Sequence, residues 1–101
     1  GERRRHLLKW TADAHNEMER VVNEVYTGPQ SSGPAHLLRG WLYFQKVMMD
    51  RPEHRELNIA EGRRMAQLAF DIMQTPNPLV LGAWFDLYER SYDAAQQKVT
   101  E

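Results

Sequence analysis

HLLRGWLYFQKVMM, residues 36–49, is apolar or aromatic at most of its positions, and its reading decides how the rest of the chain must be arranged. At about 100° per residue, Leu37, Trp41, Phe44 and Met48 share one face of a helix. Leu38, Leu42 and Met49 make a second face displaced by roughly 100°, and Val47 and Tyr43 extend the apolar arc on the other side. Arg39, Lys46 and Asp50 form a compact polar wedge. A surface helix of a small protein presents an apolar stripe of about 100° or somewhat more, and this one has roughly twice that. Two arrangements would cover it. Either three other helices of the same chain wrap a central helix, or Leu37, Trp41, Phe44 and Met48 face the core while Leu38, Leu42 and Met49 meet another polypeptide. Adaptable protein-binding surfaces are rich in methionine and aromatic residues, which suits the second arrangement. Arg39 and Lys46 would then rim a small cluster of anchors. The segment is too short and too polar to cross a bilayer, which takes about 20 predominantly apolar residues.

Around this segment the chain breaks at TGPQSSGP (27–34) and TPNP (75–78), both loop-like, and more softly at DRPEHRE (50–56) around Pro52. Before the first break, Leu7, Thr11, Ala14, Met18, Val21 and Val25 are spaced alternately four and three, a heptad seam. Leu8 and Val22 widen it, and Asp13, Glu17, Arg20 and Glu24 form the opposite, solvated side. One long helix over Arg3 to Tyr26 is expected. After the last break, Asn77 caps a helix whose first residue is Pro78, and Leu81, Phe85, Tyr88, Tyr92, Ala95 and Val99 keep the same rhythm. Between them Asn58, Ile59, Ala60 and Glu61 resemble a capping box, followed by Met65, Leu68, Ala69 and Ile72. No window alternates with period two. The expected fold is all-α, a single four-helix domain over residues 1–101. Trp10 on the first helix and Val80, Trp84 and Leu87 on the last lie off the main seams and add to the apolar surplus. Gly40, Gly62 and Gly82 fall inside expected helices, where glycine costs about 1 kcal/mol against alanine. Close approach of another helix would account for them, as would tolerated imperfection.

Composition narrows the functional classes. The chain has 101 residues, 42% hydrophobic and 27% charged, with a formal net charge of −1, so no overall field draws it to nucleic acid or an acidic membrane. It has no cysteine, which removes disulfides, thiolate metal sites and thiol nucleophiles and suits a reducing, cytoplasmic setting. GERRRHLLKW at the start has basic residues but no apolar run of the length a signal peptide needs.

Chemistry is hard to find in the residues. The four histidines show no His-Glu-x-x-His and no Glu-x-x-His spacing. His15 and Glu19, one turn apart, read as a solvated pair rather than as ligands, and so does His54 between Glu53 and Glu56. No nucleophile elbow, phosphate loop or dinucleotide fingerprint occurs. Arg63-Arg64 and Arg3-Arg4-Arg5 could in principle hold a dianion, as in small helical mutases, but neighbouring arginines point about 100° apart on a helix. No catalytic residue, cofactor site or metal site is expected. Residues 1–9 carry a net +3 and residues 10–26 a net −3, so the basic patch is local and unlike the broad footprint of a DNA reader.

The stretch SSGPAHLLRGWLYFQKVMMDRPEHREL (31–57), with ERRRHLLKW (2–10) before it, resembles the QslA-type quorum-sensing antiactivators, small bacterial regulatory proteins. The resemblance implies an all-helical homodimer without cofactor that binds the ligand-binding domain of a LuxR-type transcriptional regulator. By covering that regulator's dimerisation surface, such a protein keeps it from assembling on DNA. On the residues themselves, Leu38, Leu42 and Met49 would be the anchors, with Arg39 and Tyr43 beside them. Leu7, Met18, Val21 and Val25 would close the core or form the self-dimer. A structural or chaperone-like helical dimer with another client is the alternative, and a small helical mutase or metalloenzyme the third.

Overall fold

A computed structural model of the chain describes the backbone of residues 1–49 and 52–100, and the side chains of these except at 8, 52, 99 and 100. The expectations placed on Leu8, Asp50 and Val99 therefore lie outside the described residues. The described chain is a four-helix, all-α domain without strands: α1 (Glu2–Val25), α2 (Gly33–Met49), α3 (Arg55–Met73) and α4 (Asn77–Thr100), with one 3-10 turn at Pro52–His54 before α3.

Local chemistry sets the ends of these helices. Ser32 caps α2, its Oγ accepting from Ala35 N–H at 3.3 Å while its carbonyl accepts from His36 N–H at 3.1 Å. The buried His36 ring donates from Nδ1 to the same carbonyl at 2.9 Å and meets the Tyr26 ring edge-on at 5.2 Å, which ties the connecting loop to the helix it feeds. α3 ends on Gln74 in the left-handed conformation, φ 55°, with its N–H bonded to Phe70 C=O at 2.8 Å. The capping box expected at Asn58 is not formed. The turn at Pro52–His54 starts the helix earlier, so Asn58 lies inside α3 and buried, and Glu61 pairs with Arg64 instead.

α2 packs against all three other helices, most extensively against α3. Gly40 permits the closeness of α2 to α3 and α4, and Gly62 that of α3 to α4. A Cβ on Gly40 would come within 2.6 Å of Leu81 Cδ2 and within 3.3 Å of Met65 Cβ, and one on Gly62 would collide with the Phe85 ring. Close approach therefore explains both; Gly82 faces open space and has no such role. Around them Val47, Ile59, Ala66, Leu81 and Phe85 form the core, with Leu37, Trp41, Tyr43, Phe44 and Tyr88 packed on its margin. Ile72, expected in the buried stripe of α3, is exposed, while Asn58, Ile59 and Ala66 are buried in its place. Arg63 of α3 binds Asp86 and Glu89 of α4. Partial burial works against its charge, but donation to the two carboxylates prevails and holds its pKa above that of an ordinary arginine.

Candidate protein-binding surface

α1 is attached to the body along a narrow line. Val22 is buried on α2, His15 Nδ1 donates to Gln45 Oε1 at 2.6 Å, and Lys46 reaches Glu19 at 3.5 Å. His15 is thus not the solvated residue expected from its sequence neighbours. It is largely buried and pins two helices together, with Glu19 3.8 Å from its other ring nitrogen. Among the described residues no three histidine, aspartate or glutamate side chains are grouped to hold a metal ion. No helix among them is long and apolar enough to cross a membrane.

This attachment decides which part of the overloaded α2 is covered. Leu42 faces α1, lines a small cleft with Glu19 and Asn23, and is only 5% exposed. It is a core residue and cannot be the partner anchor expected of it. Arg39 and Tyr43 are half-buried and engaged within the chain. The guanidinium lies 4.4 Å over the Tyr26 ring, and Nη2 donates to Tyr43 Oη at 3.3 Å. Leu38 and Met49 remain exposed, but on either side of the covered Leu42, not as one continuous face. Met48, expected in the core with Leu37, Trp41 and Phe44, is exposed. The chain wraps α2 on three sides and still leaves part of it open.

The open part continues onto α4. Phe44 packs edge-on against Phe85 in the core at 5.2 Å, and equally against Trp41 at 6.0 Å and Trp84 at 6.1 Å outside it. Trp84 is 47% exposed and Leu87 54%, and Val80 completes a stripe at helical spacing. Trp84 is the member of this stripe that meets α2, through Phe44. Together these rings and the stripe make an apolar face that starts in the core and ends in solvent. In the sequence these residues are only off-seam surplus, and their i, i+4, i+7 spacing is the available signal.

A second open face lies on α1. Leu7 is 62% and Trp10 64% exposed, and Val21 and Val25 are exposed as well, with Met18 half-buried. Leu7, Val21 and Val25 of this seam do not close the core of their own chain, and Met18 does so only in part. The molecule is correspondingly elongated: its radius of gyration is 15.2 Å, against about 13 Å for a compact 100-residue domain.

Compared with known proteins, the chain matches no family model, no curated protein and no solved structure.

Proposed function

We propose that this protein is a regulatory protein-binding module, an antiactivator that sequesters a LuxR-type transcriptional regulator by covering the surface through which that regulator dimerises. The observation that carries the reading is the exposed α4 stripe of Val80, Trp84 and Leu87, joined to the core by the Trp84–Phe44–Phe85 ring contacts, with Met48 exposed one turn beyond Phe44 on α2. Isolated exposed apolar side chains are ordinary, but a contiguous set with a tryptophan and a methionine is the composition of a binding patch. The partner class comes from the resemblance of residues 2–10 and 31–57. Mechanism then reduces to mass action, since a regulator whose dimer surface is occupied is withdrawn from self-association. The reading gives the chain no chemistry of its own, places it in the cytoplasm, and treats it as a homodimer through its other open face, on α1.

The test is light scattering behind gel filtration, with a LuxR-type ligand-binding domain alone, with this protein, and mixed. Co-elution as a complex with a single regulator chain per binding face supports sequestration. Separate elution at micromolar concentrations removes the regulator from the account. In that event the exposed Met48 and Met49 favour an adaptable, chaperone-like helical dimer with another client.

A further inference from the structure

We infer that α1 pairs antiparallel with α1 of a second copy, centred on Ala14, so that Leu7 packs on the partner's Val21 and the basic start of each helix lies along the acidic half of the other. This deepens the homodimer reading above and rests on it. Three observations support the arrangement.

The first is geometric. Leu7, Ala14 and Val21 recur at intervals of seven and lie, with Trp10 and Val25, on a side of α1 turned roughly 80° from Val22, which seats the helix on α2. Within this set Leu7, Ala14 and Val21 are symmetric about Ala14. Opposed antiparallel about that residue, Leu7 meets the partner's Val21 and Val21 meets the partner's Leu7, the self-complementarity that a two-fold interface requires. The small residue sits at the centre, where the two helices come closest.

The second is electrostatic. Among the described residues Arg3, Arg4, Arg5 and Lys9 show no ion pair, as Arg39, Arg55, Arg90 and Lys98 also do not, but only the first four are clustered within a few residues of one helix end. The free cations also crowd the helix N-terminus, where the macrodipole already presents positive charge and disfavours them. The second half of α1 holds Glu17 and Glu24, both bonded to Arg20 yet largely exposed, while Glu19 turns to Lys46 and His15 on the side of α2. An antiparallel neighbour brings Arg3 and Arg4, which flank the seam, to the partner's Glu24 twice over, where they would share that carboxylate with Arg20. A parallel neighbour would set arginines against arginines. A purely apolar partner would leave these cations unsatisfied, whereas a second copy in this orientation offers both the apolar seam and the carboxylates.

The third is area. The chain exposes 7320 Å² at a mass of 11.9 kDa, where the scaling for folded monomers gives about 5,900 Å². The excess of about 1,400 Å² exceeds the roughly 800 Å² per partner that a stable interface covers. α1 is 24 residues long, about 36 Å at 1.5 Å per residue, long enough for such a contact.

Single cysteines in this cysteine-free chain test the register. With a short bis-maleimide, Ala14→Cys should cross-link into a covalent dimer in high yield, Leu7→Cys alone should not, and Leu7→Cys with Val21→Cys should. In parallel, Glu24→Arg should weaken the dimer at least tenfold by analytical ultracentrifugation, and adding Arg3→Glu should restore it. A dimer by light scattering whose Ala14→Cys variant fails to cross-link would overturn the register and leave the homodimer standing. A monomer at 100 micromolar and above would overturn both. Cross-linking through Leu7→Cys alone would make the pairing parallel and refute the charge argument.

Discussion

His15 Nδ1 donates to Gln45 Oε1 across 2.6 Å, joining residues 30 positions apart, and with Val22 it holds the middle of α1 to α2. Because α1 touches the body along so narrow a line, this bond is worth more to the placement of the helix than its strength suggests. His15→Ala should lower stability by about 1–2 kcal/mol, since Gln45 is left partly buried without its partner. Amide exchange should rise along α1 and leave α3 unchanged. A double-mutant cycle with Gln45→Ala should return a coupling of at least about 0.5 kcal/mol; a coupling near zero would mean that the contact only accompanies the packing.

The two glycines of α3 and α4 should respond in opposite senses. Gly62→Ala gains helix propensity but drives a methyl into the Phe85 ring, a strain of about 1–3 kcal/mol. Gly82→Ala meets no atom within 4 Å and keeps the gain, up to about 1 kcal/mol. For a domain of this size each kcal/mol moves the melting temperature by about 4–8 °C, so thermal melts of the two variants should fall on opposite sides of the parent.

Gln74 ends α3 in the left-handed region that glycine adopts freely. Gln74→Gly should therefore raise stability by about 1 kcal/mol in chemical denaturation. The bond its side chain makes to Asp71 C=O at 3.2 Å is exposed and its loss should subtract little.

Leu42 and Leu87 separate folding from binding. Leu42→Ala should cost about 2–5 kcal/mol, as buried leucines do. Leu87→Ala should change the denaturation midpoint by less than the equivalent of about 0.5 kcal/mol. Similar losses for both would place Leu87 in the core and remove it from the binding face.

What the sequence made legible, and what it did not, follows from the range of each signal. Four helices and their approximate bounds were legible because heptad spacing and Pro-Gly breaks are local. Asn58 misled for the same reason: a capping box is a local pattern, and it could not reveal that the turn at Pro52–His54 had already started α3. On α2 nearly every side was apolar, so periodicity alone could not rank them. The choice between Leu42 and Met48 for the core depended on where α1 lands, and that is set by contacts such as His15 with Gln45, thirty residues away. The seam of α1 was read correctly as apolar, yet periodicity shows which face needs covering, never what covers it. Trp84 and Leu87 stand out only as surplus in the sequence, because the packing of Trp84 on Phe44 exists only once α4 docks beside α2.

The most direct test of the central claim is the affinity of a LuxR-type ligand-binding domain for this protein and for its Trp84→Ala variant, measured by titration calorimetry with the variant's melting curve recorded beside it. The account predicts that binding weakens by at least about thirtyfold, as expected when an anchor worth 2 kcal/mol or more is truncated, while the variant stays folded. Unchanged affinity with Trp84→Ala, or no binding by the unaltered protein, would contradict it.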